Sequence, residues 1–347
     1  MGDDELLILK GDEVRALLHG QELELMQIIE SAYFFHFNGE SSLPQSTFLR
    51  FPHDPRNRVI ALPAYLGGRF NVAGIKWISS FPGNHAFGLD RAAAVVILNS
   101  VETGRANAVM EASVISAKRT AASAALAAKY LQGQRRAECA GMIGCGPINF
   151  EIARFLLAAC PEIKTFCLFD RLDDRANQFK DKFAEFLSEV EVVIADTASE
   201  VLATCGLVSL ATNAGEPHIP APANIKPGST LLHISLRDLA PEIILSCDNV
   251  VDDVDHVCRA QTSVHLTEQL VGHREFIRCT LAEVMSGTAN ARGKEDVPVI
   301  FSPFGLGVLD LAVSEMVYAR ANNRNVGTVI NSFQPQPWDQ RQHATVA

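Results

Sequence analysis

Cys139-Ala140-Gly141-Met142-Ile143-Gly144-Cys145-Gly146-Pro147-Ile148-Asn149 is the stretch whose reading decides the fold. The apolar run to Ile143 reads as a strand, the glycines as a tight turn, and the residues from Pro147 onward as a helix. A second strand, Thr165 to Phe169, ends at an acid, Asp170. This order is the layout of a dinucleotide-binding β-α-β unit. Gly144 and Gly146 allow the backbone to approach a pyrophosphate. Pro147 and Ile148 begin a helix whose free N–H groups and dipole favour an anion, and Asp170, about 20 residues on, can accept from a ribose hydroxyl. The expected cofactor is a nicotinamide or flavin dinucleotide. The third glycine position of the fingerprint holds Asn149, which is expected to crowd the close packing of helix on strand.

Working outward, short apolar runs recur between helical stretches after the turn: Val190 to Ala195, Leu207 to Thr212, Ser229 to Ser235, Asn249 to Val251 and Val297 to Phe301. That alternation predicts a doubly wound, mostly parallel sheet with helices on both faces. Before the turn, a helical segment at Gln21 to Phe37 precedes runs at Gln45 to Phe51, Val59 to Leu66, Val72 to Ser79, Ala92 to Asn99 and Ala106 to Met110. Their close spacing, with Pro, Gly and Asn between them, predicts an antiparallel or mixed sheet in a separate α+β layer. Alanine-rich Glu111 to Leu131 has high helix propensity and a stop at Gly133, and it is expected to bridge the two layers. The amphipathic stretch Val308 to Ala321 is placed to return the chain to the first layer. The expected fold class is therefore α/β, a Rossmann-type domain at 126–307 with a discontinuous α+β domain at 1–125 and 308–347. The tail from Gln334 reads as a frayed end.

Composition narrows the function. At 347 residues the chain is long enough for two domains, and 48% hydrophobic with 20% charged residues is a globular composition. A net charge of -10 without a Lys/Arg block argues against nucleic acid. The acidic start, Met1-Gly2-Asp3-Asp4-Glu5, is unlike a signal peptide, and no apolar run reaches the roughly 18 residues of a spanning helix. The expected setting is cytoplasmic. The eight cysteines show neither Cys-x-x-Cys nor zinc-ligand spacing, so no metal is expected. They read as small buried hydrophobes, with Cys145 in the turn as the one open to oxidation.

Four cations stand out. Lys76 lies in the strand-like Gly74-Ile75-Lys76-Trp77-Ile78, where a lysine either snorkels to water or pairs with an anion. Arg119 sits in the alanine-rich helix, where it either faces solvent or needs a carboxylate or phosphate. Arg50 ends one strand and Arg91 opens another. Each alone reads more readily as surface charge, and together they form a carboxylate-reading cluster only if the fold gathers them.

Gly74-Ile75-Lys76-Trp77-Ile78, Glu111-Ala112-Ser113 with Ala117-Lys118-Arg119-Thr120-Ala121-Ala122, Ala127 to Leu131, Ile143-Gly144-Cys145-Gly146 and Phe304-Gly305-Leu306-Gly307 resemble the ornithine cyclodeaminase and μ-crystallin family over nearly the whole chain. The resemblance implies a Rossmann domain with a discontinuous substrate and dimerisation domain, a homodimer, NAD, and a substrate carboxylate held by Arg50, Lys76 and Arg119. The Gly-Gly-Asp and Pro-Gly-Lys elements of the cyclodeaminases are missing; the chain reads His233-Ile234-Ser235-Leu236-Arg237-Asp238-Leu239-Ala240-Pro241-Glu242 instead. Ile-Ser-Leu-Arg-Asp, Asp90-Arg91-Ala92 and Val96-Ile97-Leu98-Asn99 are more similar to the branch that makes 2,3-diaminopropionate for siderophores and peptide antibiotics. That branch oxidatively cleaves N-(1-amino-1-carboxy-2-ethyl)-glutamate to 2,3-diaminopropionate and 2-oxoglutarate. Its three carboxylates give Arg91 or Arg237 a purpose. On this reading Lys76 and Asp238 are catalytic, with Asp238 handling the amine or water proton. Gly144, Gly146, Pro147, Ile148, Asp170, Thr212, Ser235 and Leu236 hold the cofactor, and Asp170 favours NAD over NADP. The alternatives are an ornithine or lysine cyclodeaminase that recycles NAD and releases ammonia, and a non-catalytic NAD(P)H-binding protein like μ-crystallin.

Overall fold

The computed structural model describes residues 5–185, 190–221 and 223–335. Met1 to Asp4 and most of the tail from Gln334 lie outside these described residues. Two sheets divide the chain. The second is all parallel, in the spatial order Glu191–Ile194, Thr165–Phe169, Cys139–Ile143, Leu207–Leu210, Thr230–His233, Val299–Ser302, Asp248–Val251, Ile277–Thr280. Cys139–Ile143 sits where the order reverses, with Thr165–Phe169 on one side and Leu207–Leu210 on the other. A doubly wound sheet opens its ligand crevice at that switch point, beyond the carboxyl ends of the strands. Leu207–Leu210, Thr230–His233 and Val299–Ser302 are buried at every residue, as strands covered on both faces must be.

The first sheet is mixed. Its order is Thr328–Ile330, Leu6–Leu9, Ala106–Glu111, Ala92–Asn99, Val72–Ser80, Asp54–Leu66 and Ser41–Ser42, with Thr47–Phe51 also paired to Asp54–Leu66. Leu6–Leu9 runs parallel to Ala106–Glu111, and the other pairings are antiparallel. Leu6–Leu9, Thr328–Ile330 and Ile277–Thr280 were not expected from sequence, because three or four residues are too few to display a period. Thr328–Ile330 carries the chain back to the first sheet after helix Gly307–Arg324, whose apolar face packs on Asp54–Leu66 and Val72–Ser80.

Helix Ser113–Leu131 joins the two layers. Ala121, Ala122, Ala124, Ala125, Ala127 and Ala128 are fully buried, and their small side chains let helices Glu22–Phe37 and Pro147–Ala159 both pack closely against it. The helix starts at Ser113 rather than at Glu111. Glu111 closes the preceding strand, and its carboxylate accepts from the N–H of Ser113 at 2.7 Å and of Val114 at 3.3 Å, satisfying donors a helix start leaves open. Gly133 beyond its end has φ +60°.

Candidate active site

Gly144 adopts φ +91°, and a Cβ there would lie 2.6 Å from the Ala211 carbonyl, so only glycine lets the turn cross the neighbouring strand. At Gly146 a Cβ would meet nothing within 4 Å. That open approach, at the N-cap of helix Pro147–Ala159, fits a pyrophosphate. Asn149 does not crowd the packing. It is fully buried, its Nδ2 donates to the carbonyls of Gly144 at 2.7 Å and Ile143 at 3.1 Å, and its Oδ1 accepts from Ser209 Oγ at 2.7 Å. The larger residue thus staples turn, helix and adjacent strand. Asp170 accepts from the N–H of Cys145 at 2.8 Å and of Leu172 at 3.0 Å. It stands against the glycine turn, where the ribose of a dinucleotide belongs. Burial first, and then the Asp170 charge, push the Cys145 thiol up to about 12, so it is not a reactive thiolate near neutral pH.

Thr212, Ser235 and Leu236 lie on loops leaving the carboxyl ends of two central strands. Leu236 is held at φ +67°, an uncommon conformation for a non-glycine residue, and Ser263 N–H bonds to its carbonyl at 2.7 Å. Thr212 and Ser235 both donate to Asp238, which also meets His218 Nε2 at 3.0 Å and His233 Nε2 at 3.3 Å. The reading of Asp238 as the proton acceptor needs revision. Its side chain is fully buried; burial alone would raise its pKa, but hydrogen bonds from His218, His233 and Ser235 outweigh that and hold it well below the usual carboxylate range. A carboxylate so stabilised is a poor proton acceptor near neutrality. His218, with 43% of its side chain exposed, is the most exposed member of this set, and nothing in the sequence marked it.

Lys76 and Arg119 do not face water: their residues are 2% and 9% exposed. They converge on Asp310, which is completely buried in the first turn of helix Gly307–Arg324. Lys76 Nζ is 2.7 Å from Asp310 Oδ2 and 3.3 Å from Ser116 Oγ, and Arg119 Nε is 3.0 Å from Asp310 Oδ1. Sequence reasoning missed Asp310, although an acid inside the apolar Gly307-Val308-Leu309-Asp310-Leu311-Ala312-Val313 signals a buried charge in need of partners. Two cations and one carboxylate leave a single net positive charge, which suits one substrate carboxylate. Burial, then the Arg119 charge, pull the Lys76 ammonium down to about 8, against the opposing pull of Asp310.

Arg119 also borders a crevice of about 200 Å³, shared with Thr120, Ile148, Ile234, Phe304 and Gly305. Ile148 follows the glycine turn directly, so the charged cluster meets the dinucleotide crevice here. The wall is fitted closely. Gly305 has φ +91°, a Cβ on it would come 2.6 Å from Arg119 Nη1, and buried Asp252 accepts from the N–H of Phe304 and Gly305 at 2.8 and 2.7 Å. Arg91 is half-buried; its Nε donates to Ser80 Oγ at 3.1 Å and its Nη1 contacts Asn213 Oδ1 beside Thr212. Arg50 is exposed, its guanidinium 5.7 Å from the centre of the Phe48 ring.

A bound carboxylate favours protonated Lys76, and the free site loses that proton as pH rises through about 8. At saturating cofactor, kcat/KM for a carboxylate substrate is expected to hold level below pH 8 and fall about tenfold per unit above it. A pH profile still level near pH 9.5, about where an ordinary lysine begins to titrate, would detach Lys76 from substrate binding.

A doubly wound sheet with a glycine turn at its switch point, beside a buried cationic cluster, defines a dinucleotide-dependent enzyme. The chain belongs to the ornithine cyclodeaminase/mu-crystallin family, whose model matches residues 7–325. It is 27% identical over 337 residues to the N-((2S)-2-amino-2-carboxyethyl)-L-glutamate dehydrogenase of Staphylococcus aureus, covering 95% of this chain and 99% of that protein. It is 30% identical over 335 residues to the alanine dehydrogenase of Archaeoglobus fulgidus, covering 95% and 99%. Among solved structures, an archaeal alanine dehydrogenase dimer with bound NAD superposes with a TM-score of 0.84 at 29% identity, over 94% of this chain and 99% of that one.

Proposed function

We propose that this protein catalyses the NAD-dependent oxidative cleavage of N-(1-amino-1-carboxy-2-ethyl)-glutamate to 2,3-diaminopropionate and 2-oxoglutarate. It is an NAD-dependent dehydrogenase of the ornithine cyclodeaminase family, in line with its relatives. The observation that carries the reading is the Lys76, Asp310 and Arg119 cluster, whose one surplus positive charge adjoins the crevice at the glycine turn. NAD+ bound there supplies a hydride acceptor. Loss of the glutamate Cα hydride and the amine proton leaves a C=N bond. Water adds across it and splits it, so adduct, NAD+ and water become 2-oxoglutarate, 2,3-diaminopropionate, NADH and a proton.

The chain's own residues orient and discriminate. Lys76 and Arg119 clamp one carboxylate, and Arg50 stands at the rim for another. Fixing one C–H toward the cofactor this way can contribute on the order of 7 kcal/mol to lowering the barrier. His218, held by Asp238 at 3.0 Å, takes up the proton released at the amine or water. Gly144, Gly146, Ile148 and Asp170 hold the dinucleotide, and Asp170 disfavours a 2′-phosphate by charge.

The domain division we propose, 1–125 with 308–347 and 126–307, assigns one sheet to each part. Leu49, Tyr65, Trp77 and Val95 on strands of the first sheet are exposed, an apolar surface that fits a homodimer contact. Among the described residues no helix is long and apolar enough to cross a membrane.

The test is stoichiometry. Purified protein, NAD+ and synthetic adduct are expected to yield one NADH per 2,3-diaminopropionate. Turnover of ornithine with ammonia release, no net NADH and no action on the adduct would instead assign the cyclodeaminase reaction.

A further inference from the structure

Lys76 and Arg119 account for one carboxylate, but the first sheet gathers more positive charge than that task needs. Arg50 and Arg58 face each other across adjacent strands, and Arg58 is in turn opposite Ser80. Directly opposed residues of antiparallel strands share a sheet face. Ser80 Oγ accepts from Arg91 Nε at 3.1 Å, bringing a third guanidinium to this row. Arg91 reaches across to Asn213, whose neighbour Thr212 bonds to Asp238, and Arg237 adjoins Asp238 in the chain. Arg237 therefore closes the group from the Rossmann side.

These cations lack counter-charges. Among the described residues none of the four has a carboxylate within 4.0 Å; Arg237 spends Nη2 on the Ala260 carbonyl at 2.6 Å, and the Nε of Arg58 is buried with no partner. Asp54 is taken by Arg56 at 3.0 Å, and Asp238 is enclosed by its own four partners. Burial and then the charges of Arg58, Arg50 and Arg91 pull Arg237 down to about 10, which shows mutual repulsion within the group. Four half-buried or rim guanidiniums held together without anions represent stored electrostatic cost, and such cost is recovered when a polyanion binds.

Position decides which polyanion. Ser80 and Lys76 are four residues apart on one strand, hence on the same face and about 13 Å apart at the backbone. Long Lys and Arg side chains reaching inward from both ends leave a span suited to one small molecule with carboxylates at both ends.

We propose that Arg58, with Arg50, Arg91 and Arg237, forms a second anion site that selects substrates carrying two further carboxylates beyond the one held at Lys76 and Arg119. The proposal deepens the function above and rests on it for the role of Lys76 and Arg119. It makes Arg58, one of several charges in Asp54-Pro55-Arg56-Asn57-Arg58, a specificity determinant against substrates with a single carboxylate.

The probe is tricarballylate, a non-reacting tricarboxylate, titrated calorimetrically into the NADH-loaded protein. R58Q is expected to weaken its binding about 10- to 100-fold, the loss of one charge-assisted contact. R58K, which keeps charge but not the fork, is expected to lie between R58Q and the wild type. NADH affinity stays unchanged. The melting temperature of R58Q without tricarballylate equals or exceeds that of the wild type, because a repulsive charge is gone. Wild-type protein that ignores tricarballylate, or R58Q that binds it within threefold of wild type, overturns the proposal. If adduct turnover is absent while tricarballylate binding depends on Arg58, the reaction fails and the anion site stands. If the adduct turns over with the same KM in R58Q, the reaction stands and the site fails.

Discussion

Asp310→Asn is expected to destabilise the protein by about 3–5 kcal/mol, because it strips the shared counter-charge from two buried cations while leaving them in place. Asp310 is fully buried, 2.7 Å from Lys76 Nζ and 3.0 Å from Arg119 Nε. The variant turns a cluster of one net positive charge into one of two. The most economical relief is for Lys76 to shed its proton. Asp310 opposes the downward pull of burial and Arg119 on Lys76, so its loss takes that pKa below about 8. The sign of the pH dependence follows. The unfolded chain keeps Lys76 protonated to about pH 10.4 while the folded variant gives the proton up earlier, so raising the pH favours the folded state. Urea unfolding of D310N is therefore expected to show a deficit that shrinks as the pH rises toward about 8 and levels off above it, where folded wild-type Lys76 has lost its proton as well. A loss under about 1 kcal/mol at pH 7 would mean that Asp310 does not anchor the pair.

Lys76→Met makes the opposite change to the charge and separates stability from activity. It leaves Arg119 and Asp310 as a neutral buried pair at 3.0 Å and replaces an ammonium with an apolar chain of similar length. Stability is expected to stay within about 1 kcal/mol of the wild type, since a buried charge partner exchanged for a hydrophobe need not cost much once the remainder is balanced. The site now has no surplus positive charge for a carboxylate. Truncating one member of a buried, hydrogen-bonded charge pair costs 2–5 kcal/mol, so kcat/KM is expected to fall about 30- to 3000-fold. NADH affinity is expected to persist, and the decline of kcat/KM above pH 8 is expected to vanish because its titrating group is gone. A variant within threefold of wild-type kcat/KM would remove Lys76 from the reaction. Together the two substitutions ask whether net charge at this point, rather than the mere presence of each side chain, governs the site.

Much of this architecture is legible without coordinates, for physical reasons that differ by element. The glycine turn is readable because Gly144 needs φ +91° and a close pass over Ala211, a demand only glycine meets. The bridging helix is readable because its propensity is local. Asn149 misled for the converse reason: replacing a glycine by a larger side chain reads as a clash, whereas its amide supplies hydrogen bonds to Ile143, Gly144 and Ser209 at once. Lys76 and Arg119 were legible as residues but not as a pair. Apolar neighbours showed that each needed either water or an anion, and the anion, Asp310, lies 191 positions beyond Arg119. His218 and Arg58 carried no local mark at all, being polar residues in polar surroundings.

Short-range chemistry along the chain thus determined the dinucleotide turn, the parallel sheet that follows it and the layered α+β segment before it, because turn geometry and hydrophobic period act between neighbours. Only the tertiary structure decided the charge balance of the site. It brings one acid from the penultimate element between two cations from the first sheet and the bridging helix, and it packs guanidiniums from two strands and two loops toward one another. Coulombic energy depends on separation in space and on exclusion of water, and neither is written in the spacing of residues along the chain.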